Sequence, residues 1–296
     1  MIIAIFKSLR PKQWTKNLLL FAGIIFTGKL NNIDLALRAL AGFVIFCALS
    51  GVVYLMNDLK DIENDREHPE KKNRPLASGA LSPSVAIAVI IILGIPSLTI
   101  SFLLGVYFGI CAVLYVSLVA AYSLWLKHYV ILDLMVVALG FVIRAIAGIE
   151  VIAVEGHAPP ITPWFIACTL FLALFLAMCK RRHELMLLTD GAARHRKVLK
   201  DYSMDFLDQM MAVTTSATVL SYAMWSTIGK FAQYRMIYTL PFVIYGIFRY
   251  QYNVYRKKEG GAPEVVFLKD RFLQVDIFLW LISIIILLYL YKPAGS

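Results

Sequence analysis

Runs of about twenty apolar residues, each long enough to cross ~30 Å of hydrocarbon, recur along this chain and constrain its fold more than any other feature. They lie near 17–30, 35–56, 83–104, 106–126, 131–153, 163–179, 210–228, 236–251 and 273–291, the first and sixth being short for a crossing. In lipid a backbone must satisfy its own hydrogen bonds, so runs of this kind predict helices. With 60% apolar and 16% charged residues, the expected class is all-α: a polytopic membrane protein of nine transmembrane helices, with a single transmembrane domain over 1–296 and no soluble domain beside it.

The basic residues orient such a bundle, because short cytoplasmic loops collect Lys and Arg. With the N-terminus cytoplasmic, all 29 Lys and Arg fall inside except Lys29, Arg38, Lys230, Arg235 and Lys292 outside and Arg144 within a span. The net charge of +10 therefore serves topology and anionic lipid, and nucleic acid is not an expected partner. The opening MIIAIFKSLRPKQWTK, 1–16, has its apolar residues ahead of its charges, the reverse of a secretory signal. It reads as an interfacial helix: Ile2, Ile3, Phe6 and Leu9 enter the headgroup boundary, Lys7, Arg10 and Lys12 stay wet, and Trp14 marks the interface. Cys47, Cys111, Cys168 and Cys179 lie in or at the ends of spans without CxxC spacing, so neither disulfides nor a zinc site is expected.

Charge concentrates in NDLKDIENDREHPEKKNRPLASG, 57–79. At 100° per residue Asp58, Asp61 and Asp65 fall within about 60° of one another on a helix, with Glu63 pointing elsewhere and Asn57 beside them at the membrane edge. Three carboxylates on one face repel unless a cation neutralises them, and oxygen ligands with room for water and phosphate suit Mg2+. The alternative is a solvated acidic face paired with Lys60 and Arg66. Arg66, Lys72 and Arg74 follow closely and are cations suited to phosphate.

NDxxDxxxD, here Asn57, Asp58, Asp61 and Asp65, followed by RPLASG at 74–79, resembles the first motif of the UbiA superfamily of intramembrane prenyltransferases. The resemblance implies a UbiA-like bundle with a cytoplasmic site in which these four residues hold diphosphate through Mg2+. A second Asp-rich DxxxD is expected in that family after the sixth span. This chain has CKRRHEL instead, with Lys180, Arg181, Arg182 and Glu184. Cations hold phosphate directly, Arg bidentately and Lys as a point charge. Together RPKQWTKN (10–17), the 57–79 segment, YSLWLKHYVILD (122–133) and KRRHEL (180–185) resemble the decaprenyl-phosphate phosphoribosyltransferase branch. That branch implies transfer of 5-phosphoribose from phosphoribosyl diphosphate to a polyprenyl phosphate in the cell membrane, a step toward lipid-linked pentose donors for cell-wall polysaccharide. The active-site loops would be 57–82 and 180–209, and the pattern is compatible with a homo-oligomer. An isoprenyl transfer to an aromatic acceptor is the alternative within the superfamily. An anion transporter is the alternative from another class, but it would favour discontinuous spans in two related halves, which the hydropathy pattern lacks.

Arg144 interrupts LGFVIRAIAG inside the fifth expected span, where a cation costs about 2.5–3.5 kcal/mol unless it faces a polar cavity. Either substrate phosphate meets it, or it pairs with a carboxylate of another helix or snorkels toward Glu150; Asp133 is too far along its own helix. Tyr122, Lys127, Lys16 and Asn17 are candidates to line the phosphate site, with interfacial anchoring as the other reading for Tyr122, Lys127 and Lys16. Tyr202, in RHRKVLKDYS, belongs either to a cytoplasmic cap over substrate or to packing. Two patterns carry no chemistry. Gly23, Gly28 and Lys29 satisfy GxxxxGK but Leu30 replaces the Ser/Thr, and His68, His157, His183 and His195 have no ligand spacing.

Overall fold

The computed structural model describes residues 1–67, 71–154, 157–160, 162–189, 197–228, 230–261 and 263–290. Its helices are α1 (Ile2–Ser8), α2 (Phe21–Phe26), α3 (Ile33–Lys60), α4 (Ile62–Glu67), α5 (Pro83–Leu104), α6 (Val106–Leu124), α7 (Leu132–Glu150), α8 (Pro163–Thr189), α9 (Met204–Thr227), α10 (Lys230–Gln233), α11 (Leu240–Tyr255), α12 (Pro263–Lys269) and α13 (Arg271–Ile285), with short 3-10 turns between them. Among the described residues the extended structure is limited to an isolated bridge, Val154 to His157.

Six helical stretches are long and apolar enough to cross a membrane: Ile33–Lys60, Pro83–Leu104, Val106–Leu124, Leu132–Glu150, Pro163–Leu187 and Arg271–Leu290. The protein is a multi-pass membrane protein. The other three runs expected to span are helical but are not among these six. The first is divided between a 3-10 segment, Pro11–Leu20, and the six residues of α2. The run at 236–251 is divided between a 3-10 turn, Met236–Thr239, and the 16-residue α11. The run at 210–228 lies in α9, whose Asp205, Asp208, Thr214, Thr215, Thr218 and Ser221 dilute its hydropathy.

The chain divides into two compact units, Met1–Leu124 with Ile143–Pro159, and Trp125–Val142 with Pro160–Ser296. In the first, α3 packs against α5, α6 and the 11–20 segment. Leu20, Ile24, Phe46, Leu49, Phe108, Tyr115, Ala147 and Ile152 form its core. Gly23 lies directly on the backbone of Gly148 and Gly148 on that of Leu20, so a Cβ on either glycine would collide; small residues let membrane helices approach this closely. Arg38, a cation on the expected outer side, reaches Val151 O at 2.8 Å through Nε and Leu104 O at 2.5 Å through Nη2. Carbonyls at helix ends lack intrahelical donors and carry negative partial charge, so a guanidinium there is well placed.

In the second unit α8 packs along α9, and α11 along α13, around Phe175, Met178, Leu207, Met211, Tyr250 and Leu273. Asp270, the N-cap of α13, accepts from Leu273 N at 3.0 Å, Arg249 Nη2 at 2.9 Å and Lys257 Nζ at 3.0 Å. Burial acts to raise the pKa of this carboxyl, but the bonds from Arg249, Leu273 N and Lys257 outweigh it and hold it well below the usual carboxylate range. A depressed folded pKa stabilises above the unfolded value, about 3.9, and that contribution fades as pH falls through the folded value. Asp270→Asn is therefore expected to lower the melting temperature at pH 7, and the gap to the parent should narrow as pH drops below about 4. Thermal unfolding in detergent at a series of pH values checks this; a gap independent of pH would remove the ionised carboxylate as its cause.

Candidate active site

In the first unit two turns of chain bring Asp58 and Asp65 to one side. The helix does not run unbroken as the 100° register assumes: α3 ends at Lys60, and Asp61 (φ −98°, ψ 13°) separates it from α4. The turn still continues, because Asp61 N donates to Asn57 O at 3.0 Å and Asp65 N to Asp61 O at 2.8 Å. Asp58 and Asp65 are buried while Asp61 is half-buried at the break.

The RPLASG segment is what faces these carboxylates. Leu76 and Leu81 are buried against Leu55 and Ala86, Gly79 turns the chain at φ +81°, and Leu81 N donates to Pro75 O at 2.9 Å. The loop so anchored aims Arg74 back at the acids: its Nη1 lies 3.0 Å from Asp58 Oδ1 and 2.6 Å from Asp65 Oδ2. Arg66 braces the same loop, Nε to Ala77 O at 3.3 Å. Lys72 is exposed, and Asn57 is half-buried beside the acids in sequence.

A second cation completes the cluster. Arg10, in the left-handed region at φ 53°, places Nη2 2.5 Å from Asp58 Oδ1 and stacks over Tyr54 at 4.7 Å. It is held there from behind, since Leu9 packs on Gly51 and Leu9 O accepts from Trp14 Nε1 at 3.1 Å. The sequence places Arg10 among the wet residues of the interfacial segment and not at the site, because the acid it meets is 48 residues away.

The donor set fits a magnesium ion accompanied by phosphate. Among the described residues no three Asp, Glu, His or Cys side chains gather closely enough to hold a metal, so the expected three-aspartate cage is not formed. Asp58 and Asp65 do converge, on one guanidinium nitrogen of Arg74. A cation thus already sits between two buried hard-oxygen donors, and Mg2+ is typically held by one or two carboxylates, its other positions filled by water and phosphate oxygens.

Arg144, also in this unit, is met by two neutral side chains. Its Nε donates to Asn17 Oδ1 and its Nη2 to Tyr115 OH, both at 2.8 Å, and its guanidinium lies 4.5 Å over the Tyr115 ring. Directed acceptors and an aromatic face together stabilise a desolvated cation. Asn17, a candidate for phosphate, is instead fully buried, with its amide donating to Ser50 Oγ at 3.3 Å and Cys47 Sγ at 3.4 Å. Lys16 and Tyr122 are half-buried.

In the second unit the two KRRHEL arginines face carboxylates. Buried Arg181 donates from Nε to Asp133 Oδ2 and from Nη1 to Glu184 Oε2, both at 2.7 Å. Arg182 Nε meets Asp208 Oδ1 at 2.7 Å and its guanidinium stacks 4.2 Å over Tyr255. Acids on α7 and α9 therefore pair with both arginines. Neither Asp133 nor Asp208 was marked as their partner, since they lie 48 and 26 residues away. Tyr202 donates to Asp133 Oδ1 at 2.7 Å and accepts from Ile131 N at 2.7 Å, so its hydroxyl is engaged within the protein. Burial, then the bond to Asp133, push its pKa up. Lys180 and Lys127 are half-buried. His183 packs beneath Gly260 and Gly261 and His157 lies in the isolated bridge; His68, His195 and Lys292 are outside the described residues.

Comparison with known proteins adds a family and a fold. The sequence profile of the UbiA prenyltransferase family matches residues 18–282. A decaprenyl-phosphate phosphoribosyltransferase from Mycolicibacterium smegmatis is 33% identical over 301 residues, 95% of this chain and 91% of that protein. Its namesake from Corynebacterium glutamicum is 34% identical over 296 residues, 96% and 86% of the two chains. Among solved structures, a UbiA homolog from Archaeoglobus fulgidus bound to GPP and Mg2+ superposes with a TM-score of 0.72 at 17% identity, covering 96% of this chain and 99% of its own.

Proposed function

The chain belongs to the UbiA prenyltransferase family, and from that premise we propose that it transfers 5-phosphoribose from phosphoribosyl diphosphate to the phosphate of a decaprenyl-type polyprenyl phosphate, releasing diphosphate. The observation that carries this reading is the likeness, over nearly its whole length, to proteins named for that reaction. CKRRHEL, standing where the family's other members are expected to carry a second aspartate pair, supports it. Nine crossings, a cytoplasmic N-terminus with α1 in the headgroup layer, and a site on the cytoplasmic face complete the reading. The product would feed lipid-linked pentose donors for cell-wall polysaccharide.

In this mechanism Asp58 and Asp65 would hold Mg2+, with Asn57 and Asp61 the further candidate ligands beside them. When bound, the ion neutralises charge growing on the diphosphate leaving group. Arg10 and Arg74 exchange their carboxylate partners for phosphate oxygens, and Arg66 and Lys72 lie near in sequence to assist. Lys16 supplies a further cation in the same unit, where Arg144 keeps the buried frame ordered; in the second unit Lys127, Lys180 and Arg181 with Glu184 are the residues this reading gives to substrate phosphate. The anomeric C–O bond to diphosphate breaks as a lipid phosphate oxygen forms the new bond, through an oxocarbenium-like transition state. That acceptor is an anion at neutral pH, so no strong general base is required, and catalysis rests on positioning and electrostatics. The isoprenoid tail gains about 0.8 kcal/mol per buried CH2 from an apolar path among the helices.

Membranes carrying the protein, supplied with labelled phosphoribosyl diphosphate, Mg2+ and decaprenyl phosphate, are expected to form labelled lipid and free diphosphate. Product formed only from isoprenyl diphosphate and a phenol would overturn the reading.

A further inference from the structure

Between α6 and α7 the chain makes a turn that its sequence resists. Ile131 has φ +68°, a region that β-branched residues avoid because the side chain crowds the backbone. Leu132 N donates to Val130 O at 2.8 Å across it, closing a three-residue turn of the strained kind. Such a backbone persists only where its surroundings over-determine it, and it is characteristic of working parts of a protein. The side chain does not supply the restraint, since Ile131 is 43% exposed. The restraint comes from Tyr202, whose buried hydroxyl accepts from Ile131 N and donates to Asp133 Oδ1, both at 2.7 Å. Asp133 is in turn fixed by Arg181 on its other oxygen, at 2.7 Å. The Tyr202 ring stacks on Phe206, and the 3-10 turn Lys197–Asp201 before it packs on the 3-10 turn Leu126–His128. One hydroxyl therefore ties a strained residue, four positions after Lys127 in the same connection, to Asp133.

We propose that Tyr202 is a positioning residue: by latching the Ile131 turn to Asp133 it fixes the Leu126–His128 turn, and Lys127 with it, in the geometry that receives a substrate phosphate. Tyr202 itself does not touch substrate. The choice of substrate rests on the phosphoribosyl-transfer reading, while the latch rests on the geometry alone. The phenol suits the task because it is donor and acceptor at once, and its raised pKa keeps the donated proton in place.

The test uses the full chain in membranes, with Tyr202→Phe, Ile131→Gly and the double variant. Tyr202→Phe keeps the ring and its packing but leaves Ile131 N without its acceptor. It is expected to raise KM for phosphoribosyl diphosphate by about ten-fold, the scale of one lost buried hydrogen bond, with a smaller effect on kcat. Amide exchange over 126–131 should accelerate by a similar factor. Glycine adopts positive φ without strain, so adding Ile131→Gly to Tyr202→Phe should bring both KM and exchange back toward the parent. A raised KM that Ile131→Gly does not rescue would overturn the proposal and make Tyr202 a direct substrate ligand, and unchanged exchange in Tyr202→Phe would remove the latch. If the parent protein proves to use another donor, the exchange measurement still decides the latch while the transfer assay alone rejects the substrate assignment.

Discussion

Asp65→Asn is expected to slow phosphoribosyl transfer by about two to three orders of magnitude, the scale on which removal of one preorganised electrostatic group acts. Asp65 is buried and accepts from Arg74 at 2.6 Å. Asparagine keeps its shape and can still accept from the guanidinium, so the loop at 74–79 should stay in place. What is lost is half of the paired negative charge that draws in the magnesium–diphosphate complex. The activation midpoint for Mg2+ should rise, and initial rates measured across a Mg2+ series check both effects. Glu63→Gln, on the exposed face of α4, is the matched control and should stay within about two-fold of the parent, as surface substitutions away from a site generally do. A near-normal rate and midpoint in Asp65→Asn would reject the metal assignment.

The largest effect on stability is expected from Asp133→Asn. Arg181 and Asp133 are both buried and meet at 2.7 Å, and removing one partner from such a pair costs about 3–5 kcal/mol because a desolvated charge remains. Glu184 stays within reach of Arg181, which places the expected loss near the lower figure. At roughly 2–4 °C per kcal/mol the melting temperature should fall by about 10 °C. Adding Arg181→Met, which deletes the stranded charge and keeps an apolar stem, should recover most of that loss. Thermal unfolding in one detergent, followed by tryptophan fluorescence, tests the set. A double variant as unstable as Asp133→Asn would mean that the aspartate acts through Tyr202 and the Ile131 turn alone.

Much of the fold could be read directly, because a membrane leaves few choices for a run of twenty apolar residues. The six long spans fall where hydropathy placed them. The 17–30 run did not yield to the same logic: Pro11 opens a ten-residue 3-10 segment there, and composition does not distinguish that from α-helix. At the site, the aspartate spacing points to Asp58 and Asp65, which lie two turns apart and both meet Arg74, but not to the break at Asp61. It could not show that Arg10 and Arg74 already neutralise them, because those partners arrive from separate elements. The KRRHEL segment displays its charge but not its neighbours: Arg181 and Arg182 meet Asp133 and Asp208, which lie on other helices, and the charge of a segment says nothing about who sits opposite. Ile131 was invisible for the opposite reason: a β-branched residue is local evidence against the backbone it adopts.

Arg38 has a bearing on how a long lipid could enter. Its guanidinium joins the end of α5 to the residue following α7, and its own backbone belongs to α3, so three segments of the first unit share one rivet. Asp58 sits at the far terminus of that same α3. Any parting of these segments would have to break that contact or carry it along, so Arg38 holds their ends together at the terminus of α3 opposite the aspartates.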